Sequence, residues 1–478
     1  MDKVLTILQS RLGMEEPHNC TDAKEQLSLF TAFFDGLVGY DPQMAYVPSL
    51  AASWHASDDA RTWTFTLRPD AVFHNGRAVD AEAVAYSLKR MARPDMGVTL
   101  GAPGVYNQYL AGMGLQIIDR TSIRLSLREP IADLLDILVT GYILPPEDVE
   151  RLGDGFRSEP VGSGPFAFAD YQKGVRVRAT KNPSYFLKPA DYDRIEWRLV
   201  SDPSERLRMI REGAAQIASG PPFVADLDEQ GVRYVRSCGS TVYILIFNAQ
   251  SGPLADHRVR LALNLGIDRR ALVNAVLNGA GYPLKGFIGP AHFGYDAQAP
   301  PIDCDRMRAR SLLREAGFGG GLSLTLDSPT SLPNEAVRLS EALQDQLARI
   351  DVDIDIVYTE DRELYANKVR RKEIHDMCVF DSSPLSTFRV LKEKVDARFK
   401  GSWWQGYHNE VVEKLLDTAQ ATTDTARREA LYRQCFRELN QDPPWLYLYN
   451  AMHVTCLSAS LSGWRAPAHG VIDPRYIG

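Results

Sequence analysis

The stretch "LSLTLDSPTSLPNEAVRLSEALQDQLARIDVDIDIVY", residues 322–358, decides the fold class. Its first six residues alternate apolar and polar side chains, as a half-buried strand does, and residues 351–358 alternate again. Between them, apolar residues recur at helical spacing: Leu339, Leu343, Leu347 and Ile350. Strand, helix and strand in this order form a β-α-β unit, so the sequence predicts an α/β fold with a parallel sheet covered by helices.

A further strand is predicted at residues 376–381, and two polar loops follow the predicted strands at residues 327–331 and 381–384. Each loop begins with a carboxylate and is rich in hydroxyl groups. Because ligands of open α/β sheets bind outside the carboxyl ends of the strands, the sequence predicts a binding site there.

The first third of the chain has a different pattern. Residues 63–67 alternate as a strand, Asp80 is placed to cap a helix over residues 81–91, and a second strand is predicted at residues 121–130. This part of the chain is predicted to be an α+β module.

Composition excludes several classes of protein. With 478 residues the chain is long enough for two to three domains, and 54 basic against 61 acidic residues give a net charge of −7, which argues against a general nucleic-acid binder. No apolar run reaches the roughly 18 residues of a membrane span. The first 20 residues lack the pattern of a signal peptide, so the protein is either cytosolic or has lost such a peptide.

Neither catalytic motifs nor metal-binding spacings are found. The chain has no nucleophile elbow, phosphate-binding loop or paired zinc histidines, and its six cysteines are scattered, which favours buried thiols over ligands and leaves disulfides open. We therefore expect neither an enzyme nor a bound cofactor or metal.

Five blocks resemble the extracellular solute-binding proteins of the dipeptide, oligopeptide and nickel family, which serve ABC importers. The blocks include "PSLAASW" within residues 33–91, "PVGSGPF" within 159–186, "RVRLALNLGIDRRAL" within 247–281, "LLREAGF" within 307–318 and "PWLYLY" within 426–449. They occur in the order of the family and span nearly the whole chain.

The resemblance implies a two-lobed fold of the type II periplasmic-binding-protein kind with an inserted third α+β subdomain. Residues 1–32, 162–245 and 455–478 would form lobe I, residues 33–161 the insertion, and residues 246–454 lobe II. It further implies a monomer outside the cytoplasm that closes around a peptide or other small solute and delivers it to a membrane permease, without inserting in the membrane itself. Gly162–Pro165 would be either a hinge or a plain structural turn.

Peptide binders of this family hold the ligand's amino group with an aspartate near the position of Asp381. The earlier loop lacks the arginine of the dipeptide binders, so a longer peptide, an opine and a sugar conjugate all stay open. The predicted ligand-binding residues are Asp381, Ser382, Ser383, Trp403, Trp404, Tyr407, Thr21, Asp22, Ser328 and Thr330.

Two stretches of lobe II raise questions of their own. Residues 389–400 carry a surplus of positive charge, which favours a solvated helix face over a site for an anionic solute. The run "GSWWQGYHN", residues 401–409, predicts one tryptophan in the core and the other, with Tyr407, facing the solute.

An alternative from a different class of function stays open: the chain would be a cytosolic ligand-sensing module of a regulator.

Overall fold

The computed structural model describes residues 2–19, 22–97, 104–220, 232–331, 333, 335–461, 463–465, 467 and 469–477. Its strands are β1 (Val4–Gln9), β2 (Val38–Tyr40), β3 (Tyr46–Pro48), β4 (Ala51–Ala56), β5 (Thr62–Leu67), β6 (Gly114–Asp119), β7 (Ser122–Ser126), β8 (Phe166–Gln172), β9 (Arg176–Lys181), β10 (Arg194–Leu199), β11 (Ile217–Ser219), β12 (Val232–Ser237), β13 (Val242–Phe247), β14 (Gly281–Pro283), β15 (Leu322–Pro329), β16 (Val352–Thr359), β17 (Met377–Ser382), β18 (Trp445–Ala451) and β19 (His453–Ser458).

The helices are α1 (Lys24–Phe33), α2 (Ala81–Met91), α3 (Val105–Leu110), α4 (Leu134–Leu138), α5 (Pro146–Leu152), α6 (Pro203–Arg211), α7 (His257–Gly266), α8 (Arg269–Leu277), α9 (Arg306–Glu315), α10 (Ala336–Ala348), α11 (Arg362–Arg370), α12 (Thr387–Lys394), α13 (Glu410–Gln420) and α14 (Thr425–Gln441). Many begin after an aspartate that caps them, as predicted for α2 at Asp80. Asp80 accepts a hydrogen bond from the Ala83 amide at 3.0 Å, and Asp268 accepts one from the Ala271 amide at 2.9 Å.

The chain divides into two compact units. Unit 1 comprises Met1–Ser237 and His453–Gly478, and unit 2 comprises Cys238–Met452. The sequence prediction placed the corresponding boundaries at residues 245/246 and 454/455; its separate insertion over residues 33–161 stays a prediction.

Unit 1 contains a seven-stranded sheet in the order β12-β19-β11-β1-β10-β9-β8 and a four-stranded sheet in the order β4-β5-β7-β6. The seven-stranded sheet is mixed, because β1 pairs in parallel with β10 and β11 while the other strands pair antiparallel. The predicted strand at residues 63–67 and the predicted helix at 81–91 are both confirmed, as β5 and α2.

The Gly162–Pro165 run lies inside unit 1 and packs tightly against the end of α1. A Cβ atom on Gly162 would lie 2.0 Å from the Phe33 carbonyl oxygen, and one on Gly164 would lie 2.4 Å from the Ala32 carbonyl oxygen. The Gly164 amide donates to the Phe33 carbonyl at 2.9 Å, so the two segments are held in backbone contact. Only glycine fits where two backbones approach so closely.

Unit 2 is built on a six-stranded sheet in the order β14-β18-β13-β17-β15-β16. The predicted β-α-β unit is confirmed: β15 and β16 pair in parallel and α10 connects them. The sheet as a whole is mixed, because β13 pairs antiparallel with both β17 and β18. The α/β class is confirmed, and the apolar residues of α7, α8, α9 and α10 pack with those of the sheet into one core.

Candidate functional site

The predicted site lies where three strands of unit 2 run side by side. On β17, Asp381 pairs across to Tyr243 of β13, and Tyr243 pairs on its other side with Tyr449 of β18. The two tyrosine rings lie 5.1 Å apart, and the Tyr449 hydroxyl donates to Glu335 Oε1 at 3.1 Å. Two carboxylates and two phenols are thereby grouped at this end of the sheet; we call Asp381, Glu335, Tyr243 and Tyr449 the acidic group.

The electrostatics of the acidic group keep both phenols protonated. Burial, and then the negative charges of Asp381 and Glu335, raise the pKa of Tyr243 far above its usual value. Burial and Glu335 raise the pKa of Tyr449 in the same way. Both phenols are therefore neutral, so the negative charges of the group are those of Asp381 and Glu335, and the positive charge of Arg338 acts on Tyr449 against them.

Of the two carboxylates of this group, Asp381 is the one whose side chain is free of contacts with the described residues. It is half-buried, and its carboxylate makes no hydrogen bond or ion pair to any residue that the structure describes; only its backbone carbonyl is engaged, by Lys394 Nζ at 3.2 Å. A half-buried carboxylate without such contacts is suited to a charge-assisted hydrogen bond with an ammonium group.

The backbone of the loop after Asp381 is held by hydrogen bonds from residues that lie outside this loop. Ser240 Oγ donates to the Ser383 carbonyl at 2.8 Å, and His292 Nε2 lies 3.1 Å from the Pro384 carbonyl oxygen. Burial lowers the pKa of His292 to about 4, so at neutral pH the imidazole is uncharged and can donate this hydrogen bond. These contacts hold the backbone of Ser383 and Pro384, which follows Asp381.

The other predicted residues of the two loops differ in how accessible they are. Ser328 and Ser382 are buried; Ser328 Oγ accepts from Ser340 Oγ at 2.8 Å, whereas Ser382 Oγ has no hydrogen-bond partner among the described residues. Thr330 is half-buried and its amide donates to the Thr359 carbonyl at 3.2 Å. As ligand contacts, all of them stay predictions.

Asp327, which opens the earlier polar stretch, has a structural function. Because β15 continues to Pro329, Asp327 lies inside the strand and is fully buried. Its carboxylate accepts from Lys368 Nζ at 2.6 Å and from the His375 amide at 2.7 Å. Of the two carboxylates that begin the predicted polar loops, Asp327 is fully buried and Asp381 is half-buried.

The aromatic run packs largely into unit 2. Trp403 is buried against Phe380, with ring centroids 4.6 Å apart, and Tyr407 is buried with its hydroxyl donating to the Asp442 carbonyl at 2.8 Å. Trp404 is half-buried, and its indole N–H donates to the Tyr407 carbonyl at 2.6 Å. Trp404 is thus the most accessible of the three rings, and solute contact by any of them stays a prediction.

The expectation of a solvated helix face at residues 389–400 was wrong for the helix itself, although Arg398 and Lys400 beyond it are exposed. Helix α12 is buried along its whole length. Arg389 pairs with Glu393 at 2.9 Å and Lys392 with Asp396 at 3.1 Å. These positive charges are matched inside unit 2, because a buried charge needs a partner.

In unit 1, the predicted contacts Thr21 and Asp22 precede α1. Thr21 lies outside the described residues, and Asp22 is half-buried. Cys238, Cys304, Cys378 and Cys435 are free thiols. The described parts of the chain contain neither a helix long and apolar enough to cross a membrane nor a cluster of three or more potential metal ligands.

Sequence reasoning missed three members of the acidic group. Tyr243 stands within the apolar run of residues 241–247, and Tyr449 and Glu335 are distant in sequence from Asp381. A tyrosine near the end of each of two buried strands was the available signal.

Comparison with known proteins decides the family. The model of the family described as "Bacterial extracellular solute-binding proteins, family 5 Middle" matches residues 45–387. The chain belongs to this family. It is a solute-binding protein, and the predicted family, fold and general function are confirmed.

Individual relatives agree with this assignment. The glutathione-binding protein GsiB of Pectobacterium atrosepticum is 27% identical over 467 residues, covering 94% of this chain and 88% of GsiB. HbpA2 from Haemophilus parasuis has a TM-score of 0.85 at 22% identity, with 98% of each chain covered. AgaA from A. tumefacien R10, solved in complex with agropinic acid, has a TM-score of 0.81 at 23% identity and covers 98% of this chain and 96% of its own. At these identities the two structures show the fold alone.

Proposed function

We propose that this chain captures a short peptide with a free amino group and delivers it to the permease of an ABC importer. It acts outside the cytoplasm, as a monomer, and releases the peptide unchanged. The family membership supports import, and the glutathione-binding relative supports a small peptide as the solute. The single observation that carries the choice of solute is the free carboxylate of Asp381 within the acidic group.

The amino group of the peptide is the part that the acidic group recognises. An ammonium bound at Asp381 would lie beside the phenol of Tyr243, on which the negative charges of Asp381 and Glu335 both act. A charge-assisted hydrogen bond of this kind contributes roughly 1.5–3 kcal/mol, which is about a 10- to 100-fold gain in affinity. A solute without an amino group would leave this charge unmatched.

Isothermal titration with reduced glutathione, trialanine and their N-acetylated forms tests the proposal. The wild-type protein should bind an unmodified peptide and bind its acetylated form about 10- to 100-fold more weakly. The Asp381→Asn variant should lose this preference because it has lost the negative charge. Asp353→Asn, an exposed aspartate of the same unit, serves as the matched control and should behave as wild type.

The same titrations test the alternative solutes. Agropinic acid and a set of oligosaccharides represent the opine and sugar-conjugate classes. Tight binding of one of these, with no binding of any peptide, would replace the peptide proposal. The recovery of intact peptide after long incubation separates transport from an enzymatic function.

A further inference from the structure

A positively charged side chain lies at the same edge of the unit 2 sheet as Asp381. Strand β15 pairs in parallel with both β16 and β17, and its last residue, Pro329, is paired with Thr359 at the end of β16. Helix α11 begins just beyond this end, at Arg362. Since ligands of open α/β sheets bind at the carboxyl ends of parallel strands, Arg362 stands where a solute is expected.

Two buried aromatic rings hold the guanidinium of Arg362. Its Cζ atom lies 5.3 Å from the centre of the Phe380 ring and 5.5 Å from the centre of the Tyr365 ring. The Phe380 ring packs against Trp403, and the Tyr365 hydroxyl donates to the Val379 carbonyl at 2.6 Å. Because both rings are fixed parts of unit 2, the guanidinium is positioned before any solute binds.

The nitrogen atoms of this guanidinium lack hydrogen-bond acceptors. Nη1 is buried and donates to no residue that the structure describes. Nε and Nη2 donate to none of these residues either, but they are not enclosed. Because Nε–H and one N–H of Nη2 point in the same direction, they form a two-donor edge that fits the two oxygen atoms of a carboxylate.

The carboxylates in this part of unit 2 are engaged by other groups. Asp361 accepts hydrogen bonds from two amides of the first turn of α11, at 2.8 and 2.9 Å, and Asp327 is paired with Lys368. Among the described residues, Arg362 forms no ion pair. Burial and then the charge of Arg362 lower the pKa of Arg370 on the same helix, although Glu363 acts against this. A further negative charge at Arg362 would reduce this repulsion.

We propose that Arg362 is the subsite for a carboxylate of the solute, which it binds through Nε and Nη2. The proposal rests on the proposed function and narrows the solute to peptides with a free carboxylate. Both charged groups of the peptide are then bound within unit 2, the amino group at Asp381 and the carboxylate at Arg362.

Phe380 connects the two subsites. Its ring lies beside the Arg362 guanidinium, and it directly precedes Asp381 in β17. Successive side chains of a strand point to opposite faces of the sheet, so the solute would extend across the carboxyl end of β17. A single amino acid carries both charges on one carbon atom and cannot extend from one face to the other. The arrangement therefore selects a peptide.

Titration of three variants with trialanine and reduced glutathione tests the subsite. Each peptide is compared with a derivative that has no free carboxylate: trialanine amide and glutathione diethyl ester. Arg362→Met removes the charge and keeps an unbranched chain beside the rings, whereas Arg362→Lys keeps the charge without the two-donor edge. Arg371→Met changes an exposed arginine at the end of the same helix and is the matched control.

The variants should differ in their preference for the free carboxylate. Wild type and Arg371→Met should bind the unmodified peptide roughly 10- to 100-fold more tightly than its blocked derivative. Arg362→Met should bind both forms equally, and as weakly as wild type binds the blocked derivative. Arg362→Lys should restore only part of the preference. Arg362→Met should still prefer an unmodified peptide to its N-acetylated form, because that preference depends on Asp381.

Nitrogen-15 NMR spectroscopy gives an independent measurement on the wild-type protein. The Nε–H signal of Arg362, identified by its absence from the spectrum of Arg362→Lys, should shift on addition of the unmodified peptide. The same signal should stay in place on addition of the blocked derivative. A signal that responds to both forms alike, or to neither, overturns the subsite even where Arg362→Met does not fold, which its melting temperature establishes.

The possible outcomes separate the two proposals. An equal preference for the free carboxylate in wild type and in Arg362→Met overturns the subsite and leaves the proposed function standing. Absence of binding of any peptide to wild type overturns both. Loss of this preference in Arg362→Met alone, with preserved folding and a preserved preference for the free amino group, supports the subsite.

Discussion

Substitution of Gly162 by alanine distinguishes the two interpretations of the Gly162–Pro165 run. The new Cβ atom would lie 2.0 Å from the Phe33 carbonyl oxygen and 2.7 Å from Phe34 Cδ1, whereas ordinary contacts begin at 3.4 Å. The backbone of one segment must therefore retreat by about 1.4 Å, the difference between 3.4 and 2.0 Å.

Such a retreat would disturb several hydrogen bonds of this segment at once. The Gly162 carbonyl accepts from the His74 amide at 2.7 Å, and Ser163 Oγ donates to the buried Asp35 at 3.0 Å. Overpacking costs about 1–3 kcal/mol in an adaptable core and more where backbone must move, so we expect Gly162→Ala to lower the free energy of unfolding by about 3–5 kcal/mol.

Urea unfolding of the whole chain measures the effect, and Gly155→Ala is the matched control. No atom lies within 4 Å of a Cβ at Gly155, so this substitution should leave stability unchanged or raise it by about 0.4–1 kcal/mol. A loss below about 1 kcal/mol in Gly162→Ala would refute the close-packing argument. If stability is kept but solute binding weakens, the run acts as a hinge.

Three further outcomes follow from buried groups. Asp327→Asn should lower the free energy of unfolding by about 3 kcal/mol in urea titrations, because it breaks a buried ion pair; an unchanged midpoint would contradict this. Burial lowers the pKa of His18 and of His292 to about 4, whereas a histidine in the unfolded chain has a pKa of about 6.5. Between about pH 4 and pH 6.5 the unfolded chain therefore binds more protons than the folded chain. Stability should fall as pH drops from about 6.5 to 4, by up to about 3 kcal/mol for each histidine, and substitution of either by asparagine should flatten the melting-temperature profile. Trp403→Ala should cost about 3–5 kcal/mol, and Trp404→Ala clearly less; equal losses would show that burial does not distinguish them.

Local signals explain what the sequence could predict. The helix over residues 81–91 has its cap, its apolar face and its end within a dozen residues, and the β-α-β unit has its whole pattern within 322–358. Periodicity and capping are properties of neighbouring residues, so they can be recognised before any tertiary contact is known.

The predictions that needed a distant partner were less successful. Asp327 accepts a hydrogen bond from Lys368, which lies 41 residues later in the sequence, and no residue next to Asp327 in the sequence indicates this pairing. The interpretation of residues 389–400 as a solvated helix face was wrong for α12, because this helix is buried along its whole length. Likewise, Tyr243 becomes part of a site only through its strand neighbours Asp381 and Tyr449.

The aromatic run "GSWWQGYHN" combines both situations. The sequence shows that the run is rich in aromatic residues, but contacts with distant residues determine which of them are buried. Phe380 packs against Trp403, and Asp442 accepts a hydrogen bond from Tyr407. Trp404 is left half-buried, and Lys400 Nζ already lies 5.5 Å from the centre of its ring. Because a ring face attracts cations and this one is occupied by an ammonium, a cationic part of a solute would have to displace Lys400. If Trp404 contacts the peptide, it therefore contacts an uncharged part, and recognition of the amino group is left to Asp381.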